Sequence, residues 1–254
     1  KSDATGAGTT AIGAGSVANS GAGAAELTAA TAIGTFAKAT GAGSTSLGVQ
    51  ANASGEGSIS SGMNSSATGR GALAYGFGAN ATAENTMALG GFSTANGDNS
   101  VAIGAGALAN GRRAIAFGTG AKALGFNADP IAMGTNSLSD GTSTMAYGGE
   151  STAIGNNATA LGAYSTAIGV NVVAIGSGSS ATFAGSTALG IGATTTRTNQ
   201  VVIGTSSDEV TIPGLSGSGT ALVAANDDGT LRRSSVSLGQ VETAVKTTIP
   251  KLEK

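Results

Sequence analysis

The chain has 254 residues, of which 44 are Gly and none is His, Cys or Trp, and its 12 Lys and Arg against 14 Asp and Glu give a net charge of −2. Without His or Cys there is no Ser-His-Asp or Cys-His nucleophile, no zinc site of the usual ligands and no disulfide framework. Charged residues make up only 10% of the chain, and a near-neutral balance lacks the basic stripe that nucleic acid requires.

The 40% of hydrophobic residues removes disorder by composition, which needs low hydrophobicity and high charge. No apolar run is long enough to cross a bilayer as a helix. The start, Lys1-Ser2-Asp3, has no signal-peptide core. An exported chain of this kind is expected to be an internal piece that makes no membrane contact itself.

A motif of the form Ala-apolar-Gly ends at Gly13, 34, 48, 62, 76, 90, 104 and 118, then at Gly134, 148, 155, 162, 169, 176, 190 and 204. All but one of the spacings are multiples of seven; the step from Gly118 to Gly134 is sixteen. Two extra residues within Phe126-Asn127-Ala128-Asp129-Pro130 account for it. A seven-residue period usually means a coiled coil. Here each unit carries one or two Gly, each costing about 1 kcal/mol in a helix, and the apolar residues alternate with small ones as in a strand. The pattern predicts an all-β solenoid of about 14 residues per coil, a short strand and a Gly-marked bend stacked many times.

The residue before the anchor Gly is bulky and apolar in fifteen of sixteen repeats, Ser61 being the exception, and the residue before that is Ala in thirteen. Neither face of this strand carries charge, which predicts burial on both sides. In the first eight repeats the third residue after the anchor is Ala or Ser and the fifth is Ala, with mostly polar residues between them. That alternation describes a second strand with one solvated face. Packing bulky groups of the first strand on the small groups of the second leaves an Ala face to be covered by another copy of the chain. On that reading Ala88, Ala102, Ala116, Ala132, Ala153 and Ala167 are the candidate subunit-interface residues.

Ser100-Val101-Ala102-Ile103-Gly104, with Thr152-Ala153-Ile154-Gly155 and Thr166-Ala167-Ile168-Gly169, resembles the SVAIG repeats of YadA-like trimeric autotransporter adhesins over roughly residues 4–204. The resemblance implies a left-handed parallel β-roll head over 1–195, built as a homotrimer and displayed at the cell surface beyond the outer membrane of a Gram-negative bacterium. Such heads bind extracellular matrix proteins or host cells, or hold bacteria together, and use no cofactor.

After Thr196 the composition changes, with 12 of the last 58 residues charged. Thr196 to Gly204 resembles the family's neck, with Arg197, Asn199, Val201 and Ile203 as its candidate residues in a connector over 196–235. Within it, Glu209-Val210-Thr211-Ile212 reads as a strand stopped by Pro213-Gly214. Thr220–Val223 and Gly229–Leu231 flank a turn at Asn226-Asp227-Asp228. Ser237-Leu238-Gly239-Gln240 matches a capping box, and Leu238, Val241 and Val245 follow at helical spacing. Residues 236–254 are therefore expected to begin a coiled-coil stalk with those three side chains in its seam.

Several sharper readings compete. Segments such as Gly104-Ala105-Gly106-Ala107-Leu108-Ala109 imitate dinucleotide loops, but no helix pattern follows and the imitation recurs with the repeat. Asp98, Asp129 and Asp140 sit near bends without a calcium nonapeptide pattern, so no metal is expected. Arg112-Arg113, the only basic pair in the head, is a weak candidate for contacting acidic ligands. A solenoid acyltransferase would need His. An ice-binding or other purely structural solenoid is the alternative: Thr10, Thr31, Thr45, Thr152, Thr159, Thr166 and Thr187 share the third position before the anchor, a face expected to be buried.

Overall fold

The computed structural model describes residues 1–19, 29–125, 129–212, 221–225, 231–243 and 245. The chain divides into two compact units, Lys1–Ser207 and Asp208–Lys254, so the first unit reaches past the expected boundary at 195.

Among the described residues the first unit is made of two parallel sheets, one of 13 strands and one of 14. Each coil gives one strand to each sheet. Val101–Ile103 enters the fourteen-strand sheet and Leu108–Ala109 the thirteen-strand sheet. Successive coils pair in register at a step of 14, Val101 opposite Ile115 and Leu108 opposite Lys122. The ladder runs between coils: Val101 N–H donates to Ala114 O at 2.8 Å and Gly104 N–H to Leu89 O at 2.8 Å. With strands about 4.8 Å apart, thirteen such steps make a stack roughly 60 Å long.

Two coils are longer. Ile115 pairs with Ile131 and Lys122 with Leu138, so both sheets absorb the two extra residues between Ala123 and Ile131. Of the expected insertion, Phe126, Asn127 and Ala128 lie outside the described residues, whereas Pro130 is fully buried. Thr10 pairs with Thr31 in one sheet, so the 21-residue step is a single coil with seven added residues between Asn19 and Thr31.

The structure reverses the expected sides of the first strand. Ala88, Ala102, Ala116, Ala132, Ala153 and Ala167 are all 0% exposed within a single chain. They face inward, against the small residues of the opposite sheet. Each half-coil buries two residues two apart: Ser100 and Ala102, then Ala107 and Ala109, then Ala114 and Ala116. The bulky residues are outside, for example Tyr75 at 55%, Phe117 at 50% and Tyr147 at 50%. Strands of two or three residues closed by tight bends leave room between the sheets for small side chains, mostly Ala and Ser, with Val172 and Pro130 the largest fully buried. The six Ala therefore offer no side chain to a neighbouring subunit. Nor do they form one column: Ala153 and Ala167 belong to the thirteen-strand sheet and the other four to the fourteen-strand sheet. Anchors spaced by seven alternate between sheets.

The bends explain the invariant glycine of the motif. Gly104 has φ +127°, and a Cβ there would lie 2.5 Å from the carbonyl of Gly118 in the next coil. Both the torsion and the stacking distance exclude a side chain. Two residues later the chain turns through the left-handed region, a position held by Asn64, Asn136, Asn157 and Asn171 as well as by Phe36, Phe92 and Tyr164; Asn tolerates that region best among residues with a side chain.

The neck candidates close the stack. Val201–Ile203 pairs with Thr187–Leu189 as the last strand of the fourteen-strand sheet, and Asn199 donates from its N–H to Ala184 O at 3.0 Å in a left-handed bend. Arg197 is exposed. In the second unit Ala221–Ala225 and Leu231–Ser237 pair antiparallel with a register shift between Ala221 and Val223; the expected turn at 226–228 lies outside the described residues. Residues 209–212 form no strand, and Val210 and Ile212 are 54% and 44% exposed. A helix occupies 238–243 and 245, where Leu238, Val241 and Val245 are exposed.

Candidate functional site

One extended surface is the outer face of the fourteen-strand sheet. Its outward positions run from Thr10 and Ile12 to Val201 and Ile203 and hold no charged residue in any strand. Ile12, Tyr75, Phe117, Tyr147 and Ile203 are each at least half exposed. The opposite face differs. Along the thirteen-strand sheet the outward residues are Lys38, Asn52, Ser66, Asn80 and Thr94 in successive coils, and Lys122 further on. Thr82, Asn96 and Asn110 form a polar ladder beside them, with Thr82 Oγ1 donating to Asn96 Oδ1 at 2.9 Å and Asn96 Nδ2 to Asn110 Oδ1 at 3.4 Å. One sheet thus offers an apolar plane from end to end, and the other a mainly polar one from Lys38 to Lys122, interrupted by Leu108, that gives way further on to Leu138, Ile154 and Ile168.

A contiguous exposed apolar surface of this extent is unusual for a lone chain. The signal that identifies it was present in the sequence. Small residues recur every seven positions through both half-coils, as in Ala102, Ala109, Ala116 and Ala123, and that common column is the inside.

The two arginines separate. Arg113 holds the Asp129 carboxylate from Nε and from Nη2, the latter at 2.8 Å, which also gives Asp129 a partner other than a metal ion. Arg112 makes no ion pair among the described residues, so the basic pair acts as one free cation. Arg70 lies between Glu56 at 3.5 Å and Glu84 at 3.7 Å, one coil to each side, and Asp98 accepts from the Glu84 N–H at 3.3 Å. These charges sit on exposed bends. Among the described residues no group of three His, Cys, Asp or Glu side chains comes together, and no helix is long and apolar enough to cross a membrane.

The Thr column is also outside, contrary to expectation. Thr31 and Thr45 are half-buried beside exposed Ile33 and Leu47. The run ends at Ile59 and does not resume on this sheet until Thr159, so no long flat rank of Thr exists.

No curated protein is significantly similar in sequence. Among solved structures, the collagen-binding domain of the Yersinia adhesin YadA matches at 23% identity with a TM-score of 0.42, covering 77% of this chain and 87% of that one. A family model for the YadA head domain repeat matches residues 28–51, 39–65, 53–79, 67–93, 81–107, 109–128, 146–171 and 173–193. These segments cover more than half of the chain and coincide with the stacked coils described above, and on that ground the chain belongs to the YadA head family.

Proposed function

We propose that this chain is the head of a surface adhesin that works as a homotrimer, with the apolar faces of three fourteen-strand sheets turned toward one another. One observation carries the proposal: the outward side of that sheet lacks charge in all of its described strands while its apolar side chains stand bare in a single chain. Removing that surface from water stabilises at about 25 cal/mol per Å², and a closed three-fold ring buries the same face of each chain. The stoichiometry of three rests on the family resemblance.

In that assembly the thirteen-strand sheets and the bends face outward, displaying the same surface, mainly polar from Lys38 to Lys122, three times. Many weak equivalent contacts then give avidity without a deep pocket, a structural role rather than a catalytic one. Attachment to matrix proteins or host cells and display beyond an outer membrane follow the same resemblance. Two measurements test the proposal. Sedimentation equilibrium should give three times the 23.8 kDa of one chain, and the protein should be retained on surfaces coated with collagen, fibronectin or laminin. A compact monomer contradicts the assembly, and equal absence of binding on all three surfaces contradicts matrix attachment.

A further inference from the structure

We propose that the groove lined by Phe36, Lys38, Gln50 and Asn52 is a binding site for an acidic saccharide. The inference deepens the adhesin reading and rests on it. The four side chains line an open groove of about 460 Å³ that spans two neighbouring coils. Phe36 and Gln50 occupy the same left-handed bend position one coil apart, φ 58° and 57°. Lys38 and Asn52 pair directly across the thirteen-strand sheet. All four positions are held by the ladder: Phe36 N–H donates to Ala14 O at 2.9 Å, Gln50 N–H to Thr35 O at 2.9 Å, Lys38 N–H to Ala51 O at 2.8 Å and Asn52 N–H to Ser65 O at 2.9 Å.

The chemistry of the lining fits a sugar acid. The Phe36 ring is 55% exposed and offers an apolar plate of the kind that packs on the C–H face of a pyranose. Neither the Gln50 nor the Asn52 amide is engaged in a side-chain hydrogen bond among the described residues, so each presents two donors and one acceptor to ring hydroxyls. Lys38 forms no ion pair among the described residues. Glu56, which follows Asn52 in the same coil, lies in the opposite bend and is paired with Arg70 at 3.5 Å. The ammonium is therefore left for a carboxylate or sulfate of the ligand.

An acidic peptide fits less well. Extended peptides usually add to a sheet through main-chain groups, and the backbone of these coils is already paired coil to coil. Beyond the groove, Ser66, Asn80 and Thr94 continue the polar row for three more coils, a track along which further sugar residues can lie.

Saturation-transfer NMR on the assembled protein tests this, with 3′-sialyllactose, a heparin hexasaccharide, lactose and hexaglutamate as probes. Transfer to either acidic saccharide is expected, sialyllactose alone marking a terminal sialic acid and heparin alone a sulfated polymer. Phe36→Asn keeps a residue suited to the left-handed bend and should weaken binding about tenfold. Lys38→Gln should weaken acidic saccharides up to about fivefold and flatten their salt dependence. Both side chains are exposed, so circular dichroism should be unchanged in either variant. No transfer to either acidic saccharide, hexaglutamate binding as strongly as they do, or unaltered binding by Phe36→Asn overturns the proposal. A trimer that adheres to matrix-coated surfaces yet gives no saccharide transfer overturns this site and leaves the adhesin reading standing.

Discussion

Coils between Thr31 and Ile131 and coils between Met145 and Leu189 are built alike inside and differently outside. In the first region the anchor motif recurs every fourteen residues on one sheet, and the other sheet carries polar residues outward. In the second it recurs every seven residues from Gly148 to Gly176 and decorates both sheets: Thr152–Ile154 and Thr166–Ile168 stand in the thirteen-strand sheet, Thr159–Leu161 and Val173–Ile175 in the fourteen-strand sheet. Yet Ala102, Ala109, Ala153 and Ala160 are buried alike. The structural repeat is thus the half-coil of seven residues, fixed by what must fit inside and by the bend. The fourteen-residue repeat is a property of the outer surface of the first region, where one face is apolar and the other mainly polar.

The strongest test of the shared interior is to charge it in both regions. Ala102→Asp and Ala153→Asp each place an unpaired carboxylate in a space sized for a methyl group, at a cost of several kcal/mol, on the order of 5 kcal/mol or more with crowding. Thermal melts by circular dichroism should fall equally for both; a parent-like melt for either breaks the equivalence. Next in size is Gly104→Ala. The strained torsion costs roughly 1–3 kcal/mol, and the new Cβ meets Gly118 at 2.5 Å. Gly106→Ala, at φ +64° with nothing within 4 Å, should cost clearly less in the same melt.

The difference between the outer faces is read by association rather than melting. Tyr75→Asp, on the fourteen-strand sheet, should lower the assembled mass in sedimentation and leave the strand signal of each chain. Ile168→Asp, equally apolar but on the thirteen-strand sheet, should leave the mass unchanged. If Ile168→Asp dissociates the protein and Tyr75→Asp does not, the faces have been assigned backwards. Smallest is Arg113→Gln, which removes an exposed ion pair with Asp129 and should shift stability by less than about 1 kcal/mol.

Much of this was legible before any coordinates. The period, the bend at each anchor Gly, the polar outer row of Lys38, Asn52 and Ser66, and the two-residue insertion near Pro130 all follow from spacing alone. The inside of the first strand is marked only by the small column that both half-coils share, and not by the pattern within the strand. Alternation names two faces without saying which is enclosed, and here neither face has a charge to mark water. Bulky residues ordinarily belong to cores, which favoured the wrong side. The deciding fact is volume, since a coil with two- and three-residue strands cannot enclose Tyr75 or Phe117. Sheet membership of Ala153 and Ala167 was hidden for a related reason, because a motif spaced by seven does not say which half of a fourteen-residue coil it occupies. The groove at Phe36 is likewise invisible in sequence order, since its four residues converge only when neighbouring coils stack.

The absence of Cys permits a direct measurement of which face is covered. A single thiol introduced as Ile103→Cys on the fourteen-strand sheet, or as Leu108→Cys on the thirteen-strand sheet of the same coil, can be timed with a maleimide reagent under native conditions. The account predicts rapid labelling at 108 and strong protection at 103 that disappears when the subunits are dissociated. Equal, fast labelling at both positions in the native protein would contradict it.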